Sequence, residues 1–539
     1  MFSDGSNKLL IGLVFIFFFL IYVTSSSGHF DPWDGGSFFL VTESMVLKHS
    51  VTPPKDLPPM QFLSINLRGM DGLVPTRSLL APMIAVPFYY AALIFSVSPL
   101  NTVALLTNSF IMSLICVVLL CFSLYLYKSK KIAFILTLIF GVCSFIWPYN
   151  NSLLSEPTTT LCIFASAFFI YMSTSKAVYE NSVVVNGNKE VASNRTVITS
   201  IINKRKNITI YFAVFGALFL GLSVISHPHS VIMIPGFLAY YIFSVRRSDN
   251  RKTLLLSFFI ALASILLLTG VINYMRFGSF ITFGYWQPGQ ENEVLALHNG
   301  WHGLIGLLLS PGRGLIFYFP IAILLPFALT NTYAKNRGIF FLCMYTFVAH
   351  WLFFGTMYIP PTETQLPQEN IWSGGWWGSR YLLIVLPFLT LMFGTILSQL
   401  KQNKRYLKIS AIIILSIAGF SVNLLGILTW HLYVYMPEFN KGMSSEQMTW
   451  DPNHSFIVKS LELLRSNFAS HIRPIFLGPK NPGLSAFGLA PCPYDNYIYC
   501  KFGIVPTLSL IGVIAIVAIV MLRKIVHTKP PLHSLPIVK

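Results

Sequence analysis

The sequence predicts an all-α polytopic membrane protein with about twelve transmembrane helices. Three observations carry this expectation. Hydrophobic residues make up 54% of the 539 residues and charged ones only 10%, apolar runs recur from Leu9 to Leu522, and the basic residues cluster between those runs. So little polar surface cannot clothe a soluble globule of this size, and a bilayer must cover the rest. In a soluble protein the net charge of +18 would suggest nucleic acid. Here the cations follow the loops rather than one face, so membrane lipid is the expected partner and nucleic acid is not.

Segments able to span lie near 8–27, 101–127, 132–148, 158–175, 209–225, 230–245, 253–275, 314–331, 338–358, 381–400, 408–435 and 504–522. The first could be a cleaved signal, with Ser25, Ser26, Ser27 and Gly28 as small residues after it, but Asp4 beside Lys8 makes a weak basic flank and a retained helix is expected. The run from Leu79 to Ser98 also looks like a span, although Pro82 and Pro87 interrupt it. Counting it would reverse every later loop, and charge decides against that. With 79–98 at the interface, the inner segments hold 24 of the 37 Lys and Arg residues but only four acids, Asp4, Glu180, Glu190 and Asp249. The outer loops then carry 13 basic and 15 acidic residues. This asymmetry puts both termini in the cytoplasm of a cell-membrane protein and the long loops 28–100 and 436–503 outside.

Chemistry is therefore expected on the outer face. The first loop opens with His29-Phe30-Asp31-Pro32-Trp33-Asp34-Gly35-Gly36, two carboxylates just after a membrane exit, where partial burial can tune a general base. A solvated helix start capped by Asp34 is the plain alternative. The loop continues from Arg77 into the proline-broken stretch, which suits the interface and could guide a lipid tail. Glu156, in Ser155-Glu156-Pro157, falls at the outer mouth of the bundle, where a carboxylate is costly without partners; helix capping before Pro157 is the competing account.

Arg276, Arg313 in Ser310-Pro311-Gly312-Arg313-Gly314, and Arg380 in Trp376-Trp377-Gly378-Ser379-Arg380-Tyr381 stand close to membrane depth. A guanidinium is a planar fork suited to phosphate, glycines let backbone N–H groups approach the same oxygens, and indole faces stack on sugars. Snorkelling to headgroups and an aromatic belt are the alternatives. His227-Pro228-His229, His298 and His302 lack metal-ligand spacing and read as structural polar residues. Five cysteines sit in apolar runs, whereas Cys492 and Cys500 lie in an outer loop as a candidate disulfide. Among the N-x-Ser/Thr sequons, Asn453 is the plausible acceptor.

In this order the elements resemble the polytopic GT-C-type glycosyltransferases, the branch with protein O-mannosyltransferases and the lipid A aminoarabinose transferase. The match is the acidic first loop, the proline-containing stretch, Ser-Glu-Pro, the span pair joined near His227-Pro228, Ser-Pro-Gly-Arg-Gly and Gly-Trp-Trp-Gly-Ser-Arg-Tyr, from the first helix to about Leu400. It implies a catalytic membrane domain over 1–435, an outer loop 436–503 not matched in the family, and a last helix with cytoplasmic tail over 504–539. It implies an enzyme that transfers a sugar, with inversion, from a polyprenyl or dolichyl phosphate to a glycan, lipid or protein acceptor. Asp34 is then the base, and Asp31, Arg77, Glu156, Arg313, Trp377 and Arg380 bind substrate. Relatives often carry Arg-Pro where this chain has His227-Pro228, so the resemblance assigns no phosphate role there. No compact Asp-x-Asp is present, so no metal or other cofactor is expected. The competing functions are a transporter or flippase of lipid-linked sugars, against which the nearly charge-free spans argue, and a non-catalytic envelope-assembly subunit.

Overall fold

The computed structural model describes residues 5–29, 34–51, 64–66, 73–75, 78–174, 195–283, 300–356, 377–399, 405–429, 443, 445–465 and 496–526. Among them ten helices are long and apolar enough to cross a membrane, and the chain is a multi-pass membrane protein of α-helices. One two-stranded antiparallel hairpin, β1 (Ser64–Asn66) with β2 (Leu73–Pro75), is the exception.

The other two of the twelve expected crossings are present as interrupted helices. The segment at 132–148 forms a 14-residue helix, Lys130–Cys143, and then a 3-10 turn at Pro148–Asn151. The segment at 314–331 runs as Leu315–Tyr318, a 3-10 turn at Pro320–Leu324, and Leu325–Lys335. Pro148, Pro320 and Pro326 explain the breaks, because proline donates no backbone N–H and blocks the preceding turn. Both segments still travel from one end of the bundle to the other. Trp147 Nε1 donates to Ser25 Oγ at 2.9 Å at the end of the first helix, Gly5–Ser25, and Lys335 Nζ donates to Ser398 Oγ at 2.6 Å at the opposite end.

Residues 29–98 make no net crossing. The first helix ends at Ser25, and the side chain of Asn101, at the start of helix Pro99–Tyr127, donates to the carbonyl of Gly28 at 2.8 Å. The chain thus leaves and re-enters the bundle at one end. The apolar helix between them, Leu80–Ile94, is 15 residues long and contains Pro87. It packs beside helix Asp34–Leu47, where Thr42 Oγ1 donates to Pro82 O at 3.3 Å and Tyr89 OH to Glu43 Oε1 at 2.9 Å.

Inside the bundle most contacts are apolar, but the end bearing Gly28 is tied by amides. Asn150 Nδ2 donates to Tyr22 O at 2.6 Å, Ser27 N to Asn151 Oδ1 at 3.0 Å, and Asn108 Nδ2 to the carbonyl of Ser152. A buried amide left unmade costs about 1–3 kcal/mol, so these bonds fix the 148–152 turn. They also account for Asn150, a sequon asparagine that is wholly buried, whereas Asn453 is exposed. At the same end Asn496 Nδ2 reaches Thr24 O at 2.7 Å, which docks the start of the last span, Ile504–Val526. Cys500 is disulfide-bonded; its expected partner Cys492 lies outside the described residues.

The threading has a direct test. A cysteine introduced at exposed Lys48 is expected to react with an impermeant maleimide from the same side as one at exposed Ser96, and one at exposed Lys128 from the opposite side only. Labelling of Lys48→Cys and Ser96→Cys from opposite sides would show that 79–98 crosses the bilayer.

Candidate active site

Three charged side chains from distant parts of the sequence meet at the end of the bundle marked by Gly28. Asp34 opens helix Asp34–Leu47, where the following Gly35 and Gly36 are buried. A carboxylate in the first turn is favoured by the unpaired backbone N–H groups and the positive end of the helix dipole. Glu156 occupies the first turn of helix Ser155–Thr174 for the same reason, just before Pro157, whose missing N–H costs nothing there. Arg380 begins the 3-10 turn Arg380–Val385. Its place is set by Gly378 at φ +70°, where an added Cβ would press on the Tyr318 and Phe145 rings, and by Ser379, whose hydroxyl donates to Leu307 O at 2.8 Å and Arg313 O at 2.5 Å.

Arg380 Nη2 lies 2.9 Å from Asp34 Oδ2, and its Nε 2.5 Å from Glu156 Oε1. The Glu156 side chain is fully buried, whereas Arg380 and Asp34 each keep 13% of their side-chain surface exposed. Glu156 is thus the inner carboxylate, and Asp34 the one that reaches solvent. One guanidinium serves two carboxylates, as its planar donor fork allows. Glu156 Oε2 is buried without a hydrogen-bond partner among the described residues.

Arg313 enters the same cluster through the Ser379 bond to its carbonyl. Its side chain is 2% exposed, and its guanidinium carbon lies 5.7 Å from the centre of the Phe456 ring. Phe456 belongs to the loop 436–503 that the sequence left unmatched. The loop is held down by the Gly312 N–H, which donates to Thr449 O at 3.0 Å. A Cβ on Gly312 would collide with the backbone at Met448 and Thr449, so this contact needs glycine. The Tyr149 phenol, wholly buried, completes the group. Burial pushes its pKa well above the ordinary value, while the nearby Arg380 and Arg313 pull it down and Glu156 and Tyr381 raise it. It stays protonated at neutral pH and can offer a hydrogen to an oxyanion.

Of the residues expected from sequence, the structure brings Asp34, Glu156, Arg313 and Arg380 together. Trp377 is near but 2% exposed, its ring perpendicular to Tyr318 at 5.3 Å and laid against Gly426; it packs under the Arg380 turn rather than offering a face for stacking. Arg276 is buried at the end of helix Arg251–Phe277, 4.7 Å from the Phe277 ring centre. Asp31 and Arg77 lie outside the described residues. No group of three His, Cys, Asp or Glu side chains among the described residues is arranged to hold a metal ion.

Among solved structures, the fold is similar to that of ArnT from Cupriavidus metallidurans bound to undecaprenyl phosphate. That pair shares 12% identity over 97% of this chain and 78% of the other, with a TM-score of 0.47. It is also similar to the Archaeoglobus fulgidus oligosaccharyltransferase in the apo form, at 11% identity over 79% of this chain and 56% of the other, with a TM-score of 0.44. No protein-family model matches the chain, and no curated protein matches it by sequence. Similarity this loose assigns no residue a role, and the roles below rest on the side chains.

Sequence reasoning missed Tyr149, Tyr381 and Phe456. Tyr381 adjoins the nominated Arg380, and the signal for Tyr149 was the polar run Tyr149-Asn150-Asn151-Ser152 between two spans. Phe456 had no local signal, because its contact exists only where the segment at 445–465 packs onto Arg313.

The energetics of the cluster can be checked by thermal unfolding in detergent. Arg380→Met leaves two buried carboxylates uncompensated and is expected to cost roughly 3–5 kcal/mol. Adding Glu156→Gln to that variant removes the deeper charge and is expected to recover much of the loss. Equal melting temperatures for wild type and Arg380→Met would mean that the pair carries no such load.

Proposed function

We propose that the protein transfers a sugar from a polyprenyl or dolichyl phosphate to an acceptor hydroxyl on the extracytoplasmic face of the membrane. The observation that carries this reading is the convergence of a partly exposed carboxylate, Asp34, with two arginines and a buried phenol at one end of the bundle. A lipid phosphate at a membrane surface needs that set of donors, and a hydroxyl nucleophile needs that base. The basic clusters at the opposite end, including Lys128, Arg246, Arg247, Lys335 and Arg337, support a cytoplasmic placement of that end and of both termini.

In the proposed reaction Asp34 takes the proton of the acceptor hydroxyl as its oxygen attacks the anomeric carbon. The bond from that carbon to the phosphate oxygen breaks, and its electron pair leaves with the lipid phosphate. In-line displacement inverts the anomeric centre. Negative charge grows on the phosphate, where Arg313, Arg380 and the Tyr149 hydroxyl are already oriented and need little reorganisation. Glu156 holds Arg380 from beneath, so that the guanidinium does not follow the departing phosphate.

The carboxylates converge on a guanidinium, which supplies the compensating cation itself, so we propose turnover without a divalent metal. Dialysis against EDTA is expected to leave the transfer rate within about twofold, and added Mg²⁺ or Mn²⁺ to change it no more. A rate abolished by EDTA and restored by Mn²⁺ would replace this reading with a metal-assisted one.

The base assignment is tested with purified protein, defined prenyl-phosphate sugars and a hydroxyl acceptor. Asp34→Asn is expected to lower transfer by at least about 10²-fold, the usual scale for general-base loss, while prenyl-phosphate binding persists. Arg313→Ala is expected to weaken that binding. Full transfer by a folded Asp34→Asn protein would remove Asp34 from the chemistry.

A further inference from the structure

Helix Leu80–Ile94 is packed inside out. Its small residues Ala81, Ala85 and Ala92 are wholly buried, whereas Met83, Tyr90, Leu93 and Ile94 stand out from the protein, Ile94 at 76% exposure. Met83, Pro87, Tyr90 and Ile94 recur at helical spacing and form one exposed stripe. A helix facing water shows the reverse order, with its large apolar side chains inside. In a bilayer small residues let helices approach closely, and lipid tails solvate the large ones. No charged residue occurs between Arg77 and Lys128, so the stripe carries no charge that must be kept in water.

A ring contact sets the depth of the helix. The Phe88 ring meets that of Phe110 edge-on at 5.8 Å. Phe110 lies 11 positions after Pro99, the first residue of helix Pro99–Tyr127, which is about 16 Å along the axis at about 1.5 Å per residue. One leaflet supplies about 15 Å of the hydrocarbon thickness. The helix therefore dips below the level at which its neighbouring span begins and reaches the depth of the outer leaflet.

The opposite side of the helix grips the element that carries Asp34. Tyr89, beside the outward-facing Tyr90, points inward, where its hydroxyl donates to Glu43 Oε1 at 2.9 Å and its ring lies 5.8 Å from that of Phe39. The carbonyl of Pro82 accepts from Thr42 Oγ1 at 3.3 Å. Phe39, Thr42 and Glu43 all belong to helix Asp34–Leu47. Asp34 thus opens a helix that leans on another whose far face meets no protein among the described residues.

We propose that helix Leu80–Ile94 is seated in the outer leaflet, with the stripe of Met83, Pro87, Tyr90 and Ile94 among phospholipid acyl chains, and that the bilayer thereby supports the helix carrying Asp34. Lipid is then part of the scaffold that holds this carboxylate at the membrane surface. The inference concerns only what holds Asp34 in place, and it stands whether or not the sugar-transfer reading does.

The test uses the full-length protein in nanodiscs of phosphatidylcholine and phosphatidylglycerol. The free cysteines among the described residues are all buried, so a nitroxide label goes to thiols introduced as Met83→Cys or Tyr90→Cys. Collisions with oxygen, which concentrates in hydrocarbon, are compared with collisions with a water-soluble nickel chelate. The ratio is expected to match, within about twofold, that of a label at Leu267→Cys, exposed on the span Arg251–Phe277, and to exceed that at Lys48→Cys at least about fivefold. A ratio equal to that at Lys48→Cys places the stripe in water and overturns the inference. Suppressed collisions with both reagents mean that a second copy or another protein covers the stripe, which also overturns it.

Support of the Asp34 helix is read by amide hydrogen exchange. Met83→Glu with Tyr90→Glu puts charge where hydrocarbon disfavours it. Exchange across 34–47 is expected to rise at least about tenfold in that variant, while helix Ser155–Thr174 stays within twofold of wild type. Tyr89→Phe cuts only the link to Glu43 and is expected to raise exchange across 34–47 about threefold. Unchanged exchange across 34–47 in the glutamate variant overturns the inference. If the glutamates loosen the whole bundle, Tyr89→Phe decides, and unchanged exchange there overturns it as well.

Discussion

Two carboxylates can be buried at the mouth of a membrane bundle only if a cation lies between them, and Arg380 is that cation. The isolated cost of each charge in a low-dielectric site runs to several kcal/mol. The short contacts from Arg380 to Asp34 and Glu156 offset it only because the arginine is held rigidly. Much of the surrounding structure serves that purpose. Ser379 ties the turn to two carbonyls, Gly378 lets the backbone press onto the Tyr318 and Phe145 rings, and Trp377 packs beneath. The segment at 445–465 plays the same part for Arg313, with Phe456 against the guanidinium.

A site assembled this way draws on the whole length of the chain. Asp34 follows the first span, Glu156 starts a later one, and Arg380 begins a turn 346 residues after Asp34. Only a bundle whose successive helices return to the same end can bring such residues together. The asparagine-rich turn between two spans is the clamp that sets their relative height, because Asn108, Asn150 and Asn151 exchange hydrogen bonds with the backbone and with one another's helices. Polar residues there are structural first, and they make the placement of Tyr149 and Glu156 a consequence of the fold.

Hydropathy made the membrane class and the number of crossings readable from sequence, and charge asymmetry made the status of 79–98 readable, since a stretch of that hydropathy would otherwise count as a span. The bond from Asn101 to Gly28 supplies the geometric reason. The breaks at Pro148, Pro320 and Pro326 were visible as prolines, but a hydropathy window averages over them. Asp34, Glu156, Arg313 and Arg380 could be nominated because charge at membrane depth is expensive and therefore conspicuous. Phe456 was hidden because a phenylalanine in a loop carries no such signal. The perpendicular contact between His229 and His350, 121 positions apart, had no signal along the chain either, because it exists only in the folded bundle.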